Sequence, residues 1–108
     1  MVYTIDQLKE LIIPVAERYG LRAVWVFGSY ARNEATEHSD IDLLIDRTDS
    51  KVHSLFHMGG VYNDLVEVVD KQISLITTAS LTQDSTRVMS PDLIENVYSD
   101  RKILYEKQ

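Results

Sequence analysis

Two short apolar runs on either side of a glycine-serine turn constrain this chain more than anything else in it. Residues 21–27 are apolar on both parities except at Arg22, the pattern of a strand covered on both faces and so placed inside a sheet. Residues 40–45 alternate instead, with Ile41, Leu43 and Ile45 on one face and Asp40, Asp42 and Leu44 on the other. Runs this short make strands rather than helices, and a sheet must be buried by a second layer.

Helical spacing supplies that layer. Thr4 and Gln7 form a capping box, in which the threonine hydroxyl accepts an amide hydrogen and the glutamine reaches back. Leu8, Leu11, Ile12, Val15 and Tyr19 then recur at intervals of three and four, and Gly20 provides a left-handed stop. Pro14 removes an amide donor at a cost of about 3 kcal/mol, so a kink or break is expected there. After the turn at Gly28, Ser29 and Tyr30, residues 31–35 are expected to form a short helix, and residues 36–39 and 47–51 polar connections. Residues 54–69 read as a second long helix with Leu55, Met58, Tyr62, Leu65, Val66 and Val69 as its stripe, weakened by Gly59 and Gly60.

A third strand is expected over residues 72–77 and a last one over 102–105. Between them Ser90, Pro91 and Asp92 open a helix, serine as cap, with Leu93, Ile94 and Val97 on its buried side. No repeat or linker interrupts the pattern, and 108 residues suit one core, which usually serves about 100 to 200. The expected fold is a single α+β domain over residues 1–108, with a small mixed or antiparallel sheet backed by helices.

Eleven basic against seventeen acidic residues give a formal charge of -6, which repels a phosphate backbone and argues against direct nucleic-acid binding. The acidity points toward cations. With no cysteine, thiolate catalysis and cysteine-held metals are excluded. No signal-like start and no apolar run of membrane-spanning length is seen, so the expected protein works in the cytoplasm without a membrane.

The chemistry is concentrated in the second strand. A period of two sends Asp40 and Asp42 to one face of an otherwise apolar run. At about 4 Å two bare carboxylates repel by roughly 4 kcal/mol at an effective dielectric of 20, so a proton or a cation must stand between them. A hard ion such as magnesium suits two carboxylates and keeps positions open for phosphate oxygens. Gly28 and Ser29 end the preceding strand ten residues upstream. There the missing side chain lets a phosphate approach the backbone, and the hydroxyl and the amides of the following helix face an anion.

Phe27-Gly28-Ser29, a ten-residue spacer and Asp40-Ile41-Asp42 together resemble the signature of the DNA polymerase beta-like nucleotidyltransferases. The longer run GSYARNEATEHSDIDLLID, from Gly28 to Asp46, is similar to the minimal nucleotidyltransferase (MNT) subfamily. The likeness extends more loosely to the proline-bearing first helix, the stretch 71–77 and the Tyr105-Glu106 ending. It implies the nucleotidyltransferase fold, with Asp40 and Asp42 as catalytic metal ligands and Gly28, Ser29 and Arg32 at the phosphates. It implies Mg2+ in a two-ion site, and transfer of a nucleoside monophosphate, AMP from ATP, to an acceptor hydroxyl. It also implies a HEPN-type helical partner, with this chain as the antitoxin of a toxin-antitoxin pair; homo-oligomers are left open.

One position departs from that pattern. The family carries a third carboxylate on the next strand, and Ser74 stands at the matching place in Ile73-Ser74-Leu75-Ile76. A hydroxyl is a poor metal ligand and no base at neutral pH, which would reduce the two-ion site to one. Two outcomes follow. Either Asp46, Glu67 or Asp70 substitutes, with Asp46 favoured by its strand parity, or the chain binds nucleotide and partner with little turnover.

The remaining candidates have plainer readings beside the functional ones. Arg32 either meets triphosphate oxygens or forms a surface ion pair with Glu34 or Asp42. His53 and His57, four apart, lack an evident third metal ligand. Trp25, Phe27 and Tyr30 are expected to pack.

Overall fold

The computed structural model of the chain describes residues 2–82 and 91–107. Helix α1 (Ile5–Tyr19) opens on the expected box. The Thr4 amide donates to Gln7 Oε1 at 2.9 Å and the Gln7 amide to Thr4 Oγ1 at 3.1 Å. Gly20 closes the helix in the left-handed region at φ 64°. Of the kink or break expected at Pro14, the break does not occur, and α1 continues through it. Pro14 lies on the exposed side, as does Glu10, whose carbonyl loses its helical donor and can turn to water.

Strands β1 (Ala23–Phe27), β2 (Ile41–Asp46), β3 (Ile73–Thr77) and β4 (Lys102–Glu106) form a mixed sheet in the order β3-β2-β1-β4. β1 is interior, as its two-sided apolarity requires. It pairs antiparallel with β2 and β4, while β2 and β3 run parallel. Helix α2 (Gly28–Ala31) follows β1 directly, α3 (Leu55–Val69) bridges β2 and β3, and α4 (Pro91–Asp100) precedes β4. The short helix expected over residues 31–35 therefore begins and ends earlier. Arg32 is already its C-cap, and Asn33 stands in the left-handed region at φ 60°, which stops the coil. A 3-10 turn covers Ala79–Thr82.

One face of the sheet carries most of the core. Val24, Val26, Ile41, Leu43 and Ile45 pack there against Leu8, Ile12 and Val15 of α1 and Val61, Leu65 and Val69 of α3. Each such side chain contributes about 1.5 to 3 kcal/mol on burial, so truncating Leu43 to alanine should cost roughly 2 to 5 kcal/mol. The stripe of α3 differs from expectation. Its buried line runs through Val61, Leu65 and Val69, which leaves Tyr62 at its margin and Leu55, in the first turn, 90% exposed. Gly59 and Gly60 do not interrupt the helix. At Gly60 the missing side chain admits Tyr19, whose Oη would lie 3.1 Å from an added Cβ.

The other face holds a smaller cluster of Phe27, Leu44, Leu81 and Val97, with Trp25, Ile76 and Ile94 partly buried against it. Val97 and Ile94 are thus inward on α4 as expected, whereas Leu93 is 38% exposed. The expected cap Ser90 lies outside the described residues. Because this second layer is small, the sheet end that carries Asp42 and Ser74 on the same parity is only partly covered.

Candidate active site

The end of β1 and the beginnings of β2 and β3 meet at one end of the sheet. Phe27 is the register partner of Asp42 across the antiparallel pair, and Asp42 is the partner of Ser74 across the parallel one. Gly28, Asp42 and Ser74 are therefore placed side by side by three different strands. Gly28 adopts φ 70°, a conformation open to glycine and strained for other residues. An added Cβ there would collide with the Asp42 carboxylate, whose Cγ would lie 3.2 Å away. The turn glycine is thus required by the aspartate itself as well as by the sharp entry into α2.

Asp40 stands one residue before β2 and is exposed, where the sequence had placed it within the strand. It nevertheless acts on Asp42. Burial raises the Asp42 carboxyl above the ordinary range, a hydrogen bond from the Ser74 hydroxyl opposes that, the charge of Asp40 raises it further, and Arg32 lowers it. The two acids and Ser74 thus share one electrostatic neighbourhood, with Arg32 as its cation.

Ser29 is partly exposed at the turn, and its carbonyl accepts the Glu34 amide at 2.8 Å. It does not cap α2, which starts from Phe27 without a side-chain cap. Arg32 donates through Nη1 to Asp100 at 2.7 Å and through Nε to Glu34 at 3.2 Å. The surface ion pair with Glu34 is therefore present, and a second one with Asp100 was not foreseen. The pair with Asp100 spans 68 positions and leaves no local trace in the sequence.

The proposed substitutes for the third carboxylate fare differently. Asp46 lies four residues further along β2, about 13 Å away at 3.3 Å per residue. There it accepts the Thr48 amide at 2.9 Å and stands 3.7 Å from Arg22, so it cannot serve at Asp42 despite its parity. Glu67 and Asp70 belong to α3 and its C-cap, which pack on the opposite face of the sheet. Among the described residues no group of three or more acids and histidines is arranged so that it could hold a metal ion. His57 Nδ1 accepts the His53 amide at 3.0 Å, a helix-start contact remote from the aspartates.

The donor set fits one hard cation. Two carboxylates offer oxygen ligands, burial and the neighbouring Asp40 charge make an ionised Asp42 costly without a counter-charge, and the open side leaves room for phosphate oxygens. It does not fit a centre in which three protein carboxylates hold two ions, because Ser74 occupies the third place.

Sheet order, a glycine turn against an aspartate and an acidic pair at one strand end define a nucleotidyltransferase architecture. The profile described as "Polymerase beta, Nucleotidyltransferase" matches residues 10–108, and the chain belongs to that family. Among its relatives is MJ0435 of Methanocaldococcus jannaschii, assigned as a protein adenylyltransferase. The two are 38% identical over 77 residues, covering 71% of this chain and 81% of the relative. The protein adenylyltransferase MntA of Thermococcus cleftensis is 26% identical over 95 residues, covering 84% of this chain and 94% of MntA. A solved complex of a tri-AMPylated Shewanella oneidensis HEPN toxin with an MNT antitoxin contains a chain of the same fold. Its TM-score is 0.64 at 18% identity, covering 97% of this chain and 75% of that one. No described helix is long and apolar enough to cross a membrane.

Proposed function

We propose that this protein is a magnesium-dependent nucleotidyltransferase that moves AMP from ATP onto a hydroxyl of a HEPN-type partner, as the antitoxin of a toxin-antitoxin pair. The observation that carries the reading is Asp42: a half-buried carboxylate against the backbone of Gly28 and in the field of Asp40. The relatives support the chemistry, MJ0435 and MntA being protein adenylyltransferases by name. The Shewanella complex, which joins an MNT antitoxin to an AMPylated HEPN toxin, supports the partner. The cytoplasm is the compartment that would supply both ATP and such a partner, and residues 1–108 would act as one domain.

In this reading Asp40 and Asp42 hold the ion, the Gly28 and Ser29 amides and the Ser29 hydroxyl hold phosphates, and Arg32 offsets phosphate charge. Magnesium, when bound, would stabilise charge on the triphosphate. The acceptor oxygen bonds to the α-phosphorus as the bond to pyrophosphate breaks, and the hydroxyl proton leaves to solvent or to a base on the partner. Nothing at Ser74 accepts that proton at neutral pH.

Ser74 favours a second reading, in which the chain binds nucleotide and partner with little turnover. One assay separates the two: the protein, α-labelled ATP, magnesium and its HEPN-type partner are incubated together. Label on the partner, abolished by Asp42→Asn, supports transfer. A tight complex without label supports the binding module.

A further inference from the structure

We infer that Asp100, at the end of α4, is a positioning residue that holds the Arg32 guanidinium over the triphosphate site; this rests on the nucleotide-binding reading given above. Arg32 is the C-cap of the four-residue α2, so its own backbone offers little to fix a long, flexible side chain. Asp100 supplies that fixation from another element. Its Oδ2 takes Nη1 at 2.7 Å, and Glu34 takes Nε at 3.2 Å, so the fork is gripped on two of its nitrogens.

The two grips are unequal. Asp100 is the less exposed partner, its side chain 20% accessible against 64% for Glu34, and its bond is the shorter one. Asp100 is also misplaced as a helical residue. An acid in the last turn opposes the partial negative charge at a helix C-terminus, and α4 carries no basic residue there to offset it. The carboxylate kept at that place is paired with Arg32. The Arg32 amide meanwhile donates to the Gly28 carbonyl at 3.1 Å, so the side chain departs from the turn that abuts Asp42. The cation is therefore gripped from one side by Asp100 and rooted on the other at the phosphate turn, with guanidinium donors left over for a phosphate.

The test is binding of magnesium and a non-hydrolysable ATP analogue to the full chain, with the melting temperature of each variant measured alongside. Asp100→Asn should weaken analogue binding by roughly five- to tenfold, as loss of a charge-assisted grip on a phosphate ligand would. Asp100→Glu should restore most of it, and Asp100→Asn should add little in an Arg32→Ala background, because the two act through one group. The inference is overturned if Asp100→Asn lowers only the melting temperature, which would make the pair a plain tether of α4 to α2. It is also overturned if binding tightens, which would make Asp100 a competitor for Arg32. Failure of the nucleotide reading looks different: the unaltered chain would not bind the analogue, or would bind it regardless of Asp42→Asn.

Discussion

Two half-buried acids in this molecule are treated in opposite ways. Asp64 of α3 receives the Tyr19 hydroxyl at 2.6 Å and Arg18 Nη1 at 3.0 Å from α1, and these contacts pull its carboxyl below the ordinary range, the Tyr19 bond most of all. Asp42 is instead pushed up, by burial first and by Asp40 besides, with the Ser74 hydrogen bond only partly offsetting both. The fold favours the ionised form of the first acid. In the second the fold works against the ionised form, a cost that a bound cation would relieve.

Exchanging each acid for its amide should therefore move function and stability in different directions. Asp42→Asn is expected to reduce magnesium-dependent binding of an ATP analogue on the order of 100-fold, since it removes one of the two proposed ligands. The same change should raise the melting temperature of the ion-free protein at neutral pH. Asp64→Asn should lower the melting temperature and leave analogue binding within twofold. Calorimetric binding and thermal unfolding of the two variants check all four outcomes, and a fall in melting temperature for Asp42→Asn would break the contrast.

Gly28→Ala comes next in size. The alanine must adopt a positive φ and meet the Asp42 carboxylate, a combined cost of about 2 to 3 kcal/mol in denaturant unfolding. Its loss of stability should be smaller in an Asp42→Gly background, where nothing remains to collide with; equal losses would mean that φ alone is responsible.

The smallest expected effect lies at the clasp. Tyr19→Phe should lower the melting temperature by a few degrees at neutral pH, without altering nucleotide binding. Because the Asp64 carboxyl is depressed in the folded state, its contribution is complete above the ordinary carboxylate range and disappears as pH falls through the depressed value. The gap between wild type and Tyr19→Phe should accordingly narrow in acid. A gap that widens would assign the stabilisation to another group.

Adding a charge sharpens the comparison from the other side. Ser74→Asp places a third acid beside Asp42, so the ion-free protein should melt lower and magnesium should bind more tightly, by roughly tenfold. If transfer to the partner also appears or rises, Ser74 limits turnover.

Much of this site was legible because its signals are local. The Gly28-Ser29 turn, the two-residue period of Asp40 and Asp42 and the serine in the third strand are read within single elements, and pairing of the strands brings those elements together. Even there the strand began one residue late, leaving Asp40 outside it. What could not be read was long-range: the grip of Asp100 on Arg32, and the Tyr19 and Asp64 clasp, join residues that no periodicity connects. Asp46 misled for a related reason, since parity sets the face of a strand but not the distance along it. Leu55 was misjudged because periodicity describes an isolated helix, while the docking angle of α3 is set by tertiary packing.

The most direct test of the account is a crystal structure of the chain with magnesium and a non-hydrolysable ATP analogue. Oxygens of Asp40 and Asp42 should ligate the ion, the phosphates should lie on the amides of Gly28 and Ser29, and a donor of Arg32 should reach them. Nucleotide seated elsewhere, as in the cleft between Arg22, Trp25 and Lys107 at the far end of the same sheet, with no ion between the two aspartates, would contradict it.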